Sequence, residues 1–140
     1  MLAVGEALQR ILGTVRALGA ERVFLLEALG RVNTEDITAR RTIPPRDNSA
    51  MDGYALRAED TAGADRENPV VLEITEDVPA GKSPLYPVRR GQAARIMTGG
   101  IIPEGADAVL RVEDTESAEN RVKIFVPVAK SQDVRFAGED

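Results

Sequence analysis

The sequence predicts a mainly β protein led by one N-terminal amphipathic helix, with its strands in small, split or twisted sheets and not in a regular barrel. Three observations predict this. Helical periodicity occurs once, near the N-terminus. The remainder breaks into short β-prone runs separated by Gly, Pro, Asp and Asn. Eight prolines, with connections long for simple hairpins, restrict ladder pairing and argue against a regular barrel.

From Ala3 to Leu18 the apolar residues Val4, Ala7, Leu8, Ile11, Leu12, Val15 and Leu18 recur at three- and four-residue steps, which predicts a helix that Gly19 ends. Glu21 to Leu26 is apolar and β-prone, and Glu27 to Arg31 suits one further helical turn. Thr34 to Thr38 reads as a short extended segment leading to Pro44-Pro45. Strands are expected over Tyr54 to Arg57, Val70 to Ile74, Ala93 to Met97, Ala106 to Val112 and Val122 to Val126. The chain thus divides into a helix and linker segment (1–43), a mainly β domain (44–132) and a return segment (133–140). There is no internal repeat.

A chain of 140 residues, 43% hydrophobic and 29% charged, can bury a core of its own. No apolar run approaches the roughly 20 residues that span a bilayer, and Glu6 interrupts the region where a signal peptide would be apolar, so a cytoplasmic protein without a membrane partner is expected. Cysteine and histidine are absent, which removes disulfides, thiolate and imidazole ligands, and Ser-His or Cys-His nucleophilic machinery. Any metal must be held by oxygen, and beside a phosphate the hard cation of choice is Mg²⁺. A net charge of −5 argues against nucleic acid, and the basic pairs Arg40-Arg41 and Arg89-Arg90 read as solvated surface.

The stretch Pro44 to Ala55, PPRDNSAMDGYA, sets Asp47 and Asp52 among turn-forming residues. Asn48, Ser49 and Gly53 favour open backbone conformations that hold Asp52 at a loop edge, where a carboxylate binds metal or orients substrate. The alternative is a turn in which each carboxylate accepts a local N–H, and for Asp47 the purely loop-fixing reading is the stronger. In RIMTGG, a β-like run ends at Thr98-Gly99-Gly100, where backbone N–H groups could face an anion, or where Thr98 simply bonds its own turn. Glu104 and Asp107, around Gly105, read as loop residues, and Glu113 and Asp114 as solvated ones. Arg135 with Glu139 and Asp140 offers one cation and two carboxylates, suited either to guiding a phosphate and completing a metal site or to an ordinary polar linker.

Taken in order, PPRDNSAMDGYA, GQAARIMTGGIIPEGADAVLRVED and DVRFAGED closely resemble the N-terminal and linker region of the molybdopterin molybdenumtransferases, the MoeA and gephyrin E-domain family. The likeness extends upstream through EALGRVNTEDITAR. It departs mildly at Arg46, where the family usually has an aromatic or apolar residue, at Gly100, where Ala is common, and at Arg111, where an uncharged residue is usual. The resemblance implies an enzyme that inserts molybdenum from molybdate into adenylylated molybdopterin with Mg²⁺-dependent release of AMP. It implies a homodimer in which this region faces the pterin-binding domain of the second subunit, and a chain inactive without that larger domain.

By motif match, the resemblance makes Asp52, Thr98 and Asp140 the catalytic positions, with Asp52 and Asp140 toward Mg²⁺. Arg135 and Ser49 are then substrate-binding, and Asp47, Asn48, Gly53 and Gly99 shape the loops. The N-terminal helix in such proteins packs partly against the larger domain, so its apolar stripe is expected to favour self-association or a non-native packing here. Two other readings compete: a non-catalytic scaffold module of the gephyrin type, and a free-standing Mg²⁺-dependent phosphate hydrolase that lacks an obvious base and phosphate cradle.

Overall fold

The computed structural model describes residues 2–140, and the chain divides into two compact units, Met1–Ala39 and Arg40–Asp140. The first holds one helix, α1 (Val4–Thr14), which buries none of its residues. An exposed Glu6–Arg10 ion pair at 2.8 Å spans one of its turns. The helix stops at Thr14, short of Leu18 and of the Gly19 expected to end it. Gly13 weakens the last turn, the Thr14 hydroxyl donates back to the Ile11 carbonyl at 2.7 Å, and Val15 is already extended. Without buried contacts there is little to extend a short helix past such residues.

A single 3₁₀ turn over Leu25–Glu27 replaces the β-prone run expected to Leu26, and Arg31 N–H donates to the Ala28 carbonyl in a second, isolated turn. Thr34 to Thr38 forms no ladder. An extended segment becomes a strand only when a neighbour takes its backbone hydrogen bonds, and none does so there.

The second unit carries β1 (Asn48–Ser49), β2 (Gly53–Leu56), β3 (Val70–Val78), β4 (Gln92–Ile96), β5 (Ala108–Arg111), β6 (Thr115–Ala118), β7 (Arg121–Ile124) and β8 (Val134–Arg135). Six of these form one mixed sheet in the order β5-β2-β4-β3-β7-β6, and β1 pairs with β8 in a two-stranded ribbon. The expected separate small sheets are therefore collected into one main sheet. The parallel β3–β4 pair, linked by the Pro79–Gly91 crossover, makes this possible; the other pairings are antiparallel.

Burial follows position in the sheet. All four residues of β2 are buried because both faces of the sheet are covered there: Tyr54 and Leu56 join Leu72, Leu110, Val122 and Ile124, while Ala55 joins Val78, Val88, Ala94, Ile96 and Val109. Each large side chain so buried contributes on the order of 1.5–3 kcal/mol, enough to hold short strands that would be marginal alone. In β7, nearer the sheet edge, Val122 and Ile124 are buried while Arg121 and Lys123 face solvent.

β3 runs past the expected Ile74 to Val78, through a register shift between Ile74 and Asp77 that the polar run Thr75-Glu76-Asp77 disguises in sequence. β6 escapes sequence reading because it is polar and largely exposed. It is held by pairing with β7 across the tight Glu119–Asn120 turn, where Glu119 takes a positive φ.

Candidate functional site

The site grows from the strap Asp47–Asp52. Its two strand residues lie between two other segments. On one side Ser49 N–H donates to the Gly100 carbonyl at 2.9 Å, Gly99 N–H to the Ser49 carbonyl at 2.8 Å, and Ile102 N–H to the Asp47 carbonyl at 3.0 Å. On the other, Asn48 pairs with Arg135 and Ser49 with Val134, and Ala50 N–H donates to the Asp133 carbonyl at 2.9 Å. Asn48-Ser49 is thus the middle strand of a small three-way junction. Ser49 is fully buried, and its hydroxyl donates to the Met51 carbonyl while accepting the Met51 N–H, which turns the chain toward Asp52.

Asp52 follows immediately and is exposed. Its Oδ1 accepts two hydrogen bonds from Thr98, from the backbone N–H at 2.7 Å and from the hydroxyl at 2.8 Å. The reason is register: Gly53 pairs with Ile96, so the residues just beyond the paired ends of β2 and β4 meet. Gly53 has no Cβ, which lets the Leu110 carbonyl come within 2.0 Å of where one would sit. The Thr98-Gly99-Gly100 turn is also tight, though less so. Gly99 takes φ +78°, and a Cβ on Gly100 would lie 2.8 Å from the Val78 and Met97 carbonyl oxygens and from Ile96 Cγ1.

A second cluster lies on the return segment. Arg135 Nε donates to Glu139 Oε1 and Nη2 to Asp140 Oδ1, each at 2.7 Å. Asp47 ties this segment to the strap, its Oδ1 accepting the Ala137 N–H at 2.8 Å, while Gly138 and Asp140 N–H groups donate to the Pro44 and Ile43 carbonyls. The structure therefore brings Asp52 together with Thr98, and Arg135 with Asp140. It links the two pairs through Asp47, Asn48, Ser49 and Gly99, with no hydrogen bond between Asp52 and Asp140. Among the described residues, no group of three carboxylates is placed to hold a metal ion.

The Thr98 N–H, and after it the Thr98 hydroxyl, hold the Asp52 carboxyl below the usual carboxylate range. Asp65 is lowered in the same way by the N–H groups of Asn68 and Glu67, in an exposed turn. Lowering by itself does not mark a site. What distinguishes Asp52 is a partner 46 positions along the chain. Thr98→Val should raise the Asp52 pKa only part of the way to normal, because the stronger N–H bond remains. A carboxylate NMR titration checks this, and an unchanged pKa would refute the hydroxyl's part. A pKa lowered in the fold stabilises it above the unfolded value and ceases to do so as pH falls through the folded one, so this contribution disappears only in acid.

Asp107 has a role that sequence reading missed. Its Oδ1 accepts the Ala58 N–H at 2.7 Å, capping the 3₁₀ turn Ala58–Thr61. No local signal announces this, since the partners are 49 positions apart.

Residues 2–140 match the family described as the MoeA N-terminal region (domain I and II). The chain is 41% identical over 140 residues to molybdopterin molybdenumtransferase 2 of Mycobacterium tuberculosis, covering 100% of this chain and 35% of that protein. It is 40% identical over 141 residues to the molybdopterin molybdenumtransferase of Bacillus subtilis, covering 98% and 33%. A crystal structure of the molybdopterin biosynthesis moeA protein from Pyrococcus horikoshii OT3 superposes with a TM-score of 0.77 at 45% identity, over 86% of this chain and 32% of that one. The chain spans about a third of the length of these curated relatives. With a match along the whole described chain and a shared fold, it belongs to the MoeA N-terminal family.

Proposed function

We propose that this chain is the N-terminal part of a molybdenum-cofactor biosynthesis enzyme, which inserts molybdenum from molybdate into adenylylated molybdopterin with Mg²⁺-dependent release of AMP. The observation that carries the reading is the family match over residues 2–140 together with an exposed Asp52 held by Thr98 at the junction of the strap and β4. Asp52 and Thr98 act on the reacting phosphate side of the substrate. Asp140 completes the acidic wall, and Arg135 offsets phosphate charge. Asp47, Asn48, Ser49, Gly53 and Gly99 fix the loops that present them.

Magnesium would be held here by Asp52 and Asp140, whose carboxylates suit a hard cation beside phosphate. Two carboxylates leave most of the coordination shell to water and substrate phosphate, the usual arrangement for this ion. When bound, the ion would neutralise phosphate charge. The chain's own residues contribute orientation: Thr98 fixes the Asp52 carboxylate at two points, so little motion is needed when substrate arrives.

The enzyme is a homodimer in this reading, cytoplasmic, with the pterin-binding domain of a second subunit closing the site. The exposed apolar positions of α1, Val4, Leu8, Ile11 and Leu12, are suited to such contacts. No helix described is long and apolar enough to cross a membrane.

A chimera tests the reading: this chain replaces the matching N-terminal third of the Bacillus subtilis relative. The chimera should release AMP from adenylylated molybdopterin when molybdate and Mg²⁺ are present, and the 140-residue chain alone should not. A folded chimera without turnover would sink the proposal. Turnover by the chain alone would contradict its dependence on a second domain.

A further inference from the structure

Arg135 is held by two carboxylates that are engaged differently. Glu139 uses both oxygens: Oε1 accepts Arg135 Nε at 2.7 Å and Oε2 accepts the Phe136 N–H at 2.9 Å. Asp140 uses only Oδ1, on Nη2. The backbone explains the difference. After β8 the chain turns over Phe136–Glu139, where Glu139 N–H donates to the Phe136 carbonyl at 3.2 Å and Gly138 takes φ +80°. That turn carries Glu139 back over Arg135 and leaves Asp140 beyond it. Among the described residues Arg135 Nη1 has no partner, nor has Asp140 Oδ2.

We propose that Glu139 is a positioning residue: by clamping Arg135 Nε and the Phe136 N–H together, it fixes the guanidinium so that Nη1 is presented to an anionic substrate group and Asp140 is free to exchange Nη2 for another partner. The identity of that anion, a phosphate, rests on the functional reading above; the clamp does not. A guanidinium fixed at Nε keeps its plane when one Nη bond is exchanged, whereas one held only at Nη2 can swing about its stem.

The test uses the 140-residue chain with ¹⁵N-labelled arginine, following exchange of the Arg135 Nε–Hε proton with water, assigned by its loss in Arg135→Lys. Glu139→Ala should accelerate that exchange about tenfold, as expected for a lost charge-assisted hydrogen bond. Asp140→Asn should leave it unchanged, and Glu139→Gln, whose amide oxygen still accepts, should fall between. Wild-type exchange in Glu139→Ala would overturn the proposal. So would acceleration in Asp140→Asn equal to that in Glu139→Ala. Should the Ala variant lose the turn, shown by altered Gly138 and Asp140 amide signals, Glu139→Gln decides on the same criterion.

In the chimera, Glu139→Gln should raise KM for adenylylated molybdopterin more than it lowers kcat, and an unaltered KM would overturn the substrate-facing role. An inactive wild-type chimera would overturn the functional reading alone, because the exchange measurement needs no substrate.

Discussion

Gly53→Ala is expected to destabilise the Arg40–Asp140 unit by about 3 kcal/mol, the upper end of what overpacking a core usually costs. A Cβ there would fall 2.0 Å from the Leu110 carbonyl oxygen, 2.9 Å from its carbon and 3.1 Å from Arg111 Cα. All three atoms are backbone, so no rotamer change relieves the clash. Relief requires β2 and β5 to separate where Gly53 pairs with Arg111 and Tyr54 with Leu110. These strands carry the buried Tyr54, Leu56, Val109 and Leu110. Since a domain of this kind is stable by only about 5–15 kcal/mol, the loss is a large fraction of the whole.

Gly63→Ala is the control. It takes φ +79° but has nothing within 4 Å of an added Cβ, so it should cost only the roughly 1–2 kcal/mol of left-handed strain. Urea unfolding of the two variants checks the order, and equal losses would show that the Leu110 contact is relieved without harm. Gly53→Ala should also weaken the Asp52–Thr98 pair, because β2 sets where Asp52 emerges.

Asp52→Ala should reduce molybdenum insertion by the chimera about 10²- to 10³-fold, the range typical for removing one preorganised electrostatic group from an active site. Its melting temperature should stay close to that of the parent, because Asp52 is exposed and its loss returns the Thr98 N–H to water. Asp52→Asn sharpens the test. The asparagine carbonyl can still accept both Thr98 bonds, so the loop keeps its shape while the charge is gone. If charge is what the site requires, Asn should be nearly as poor as Ala. If Asn restores turnover, Asp52 serves only to hold Thr98, and the assignment of a reacting role to it fails. Thr98→Val belongs in the same series and should lower turnover less than either, since the backbone N–H still orients the carboxylate.

Much of the fold was legible residue by residue. Val70 to Ile74, Ala93 to Met97 and Val122 to Val126 read as strands because β-branched and apolar residues stand between turn formers, and strands occur there. The helix was legible in its first turns. Its end was not, because Val15 and Leu18 continue the apolar spacing after Gly13 and Thr14 have stopped the helix. β6 was missed since an exposed polar strand has no sequence signal apart from its partner. In the candidate site, Asp52, Thr98, Arg135 and Asp140 stood out as polar residues in glycine-bearing loops. Arg135 could be grouped with Glu139 and Asp140 because they share one short stretch, whereas the pairing of Asp52 with Thr98, 46 positions away, could not.

Several properties were determined by the sequence alone: a mainly β class, oxygen as the only source of metal ligands in a chain without cysteine or histidine, and the family, through the order of three motifs. These depend on composition and on neighbours within a few positions, where turn chemistry and side-chain period act. Only the tertiary structure decided that Asp52 meets Thr98, that Asp47 holds Ala137, and that Gly53 is required by the Leu110 carbonyl. The first two contacts span 46 and 90 positions. Strand register sets such contacts, and register is chosen by the burial of both faces of the sheet at once, a collective quantity that no local stretch contains.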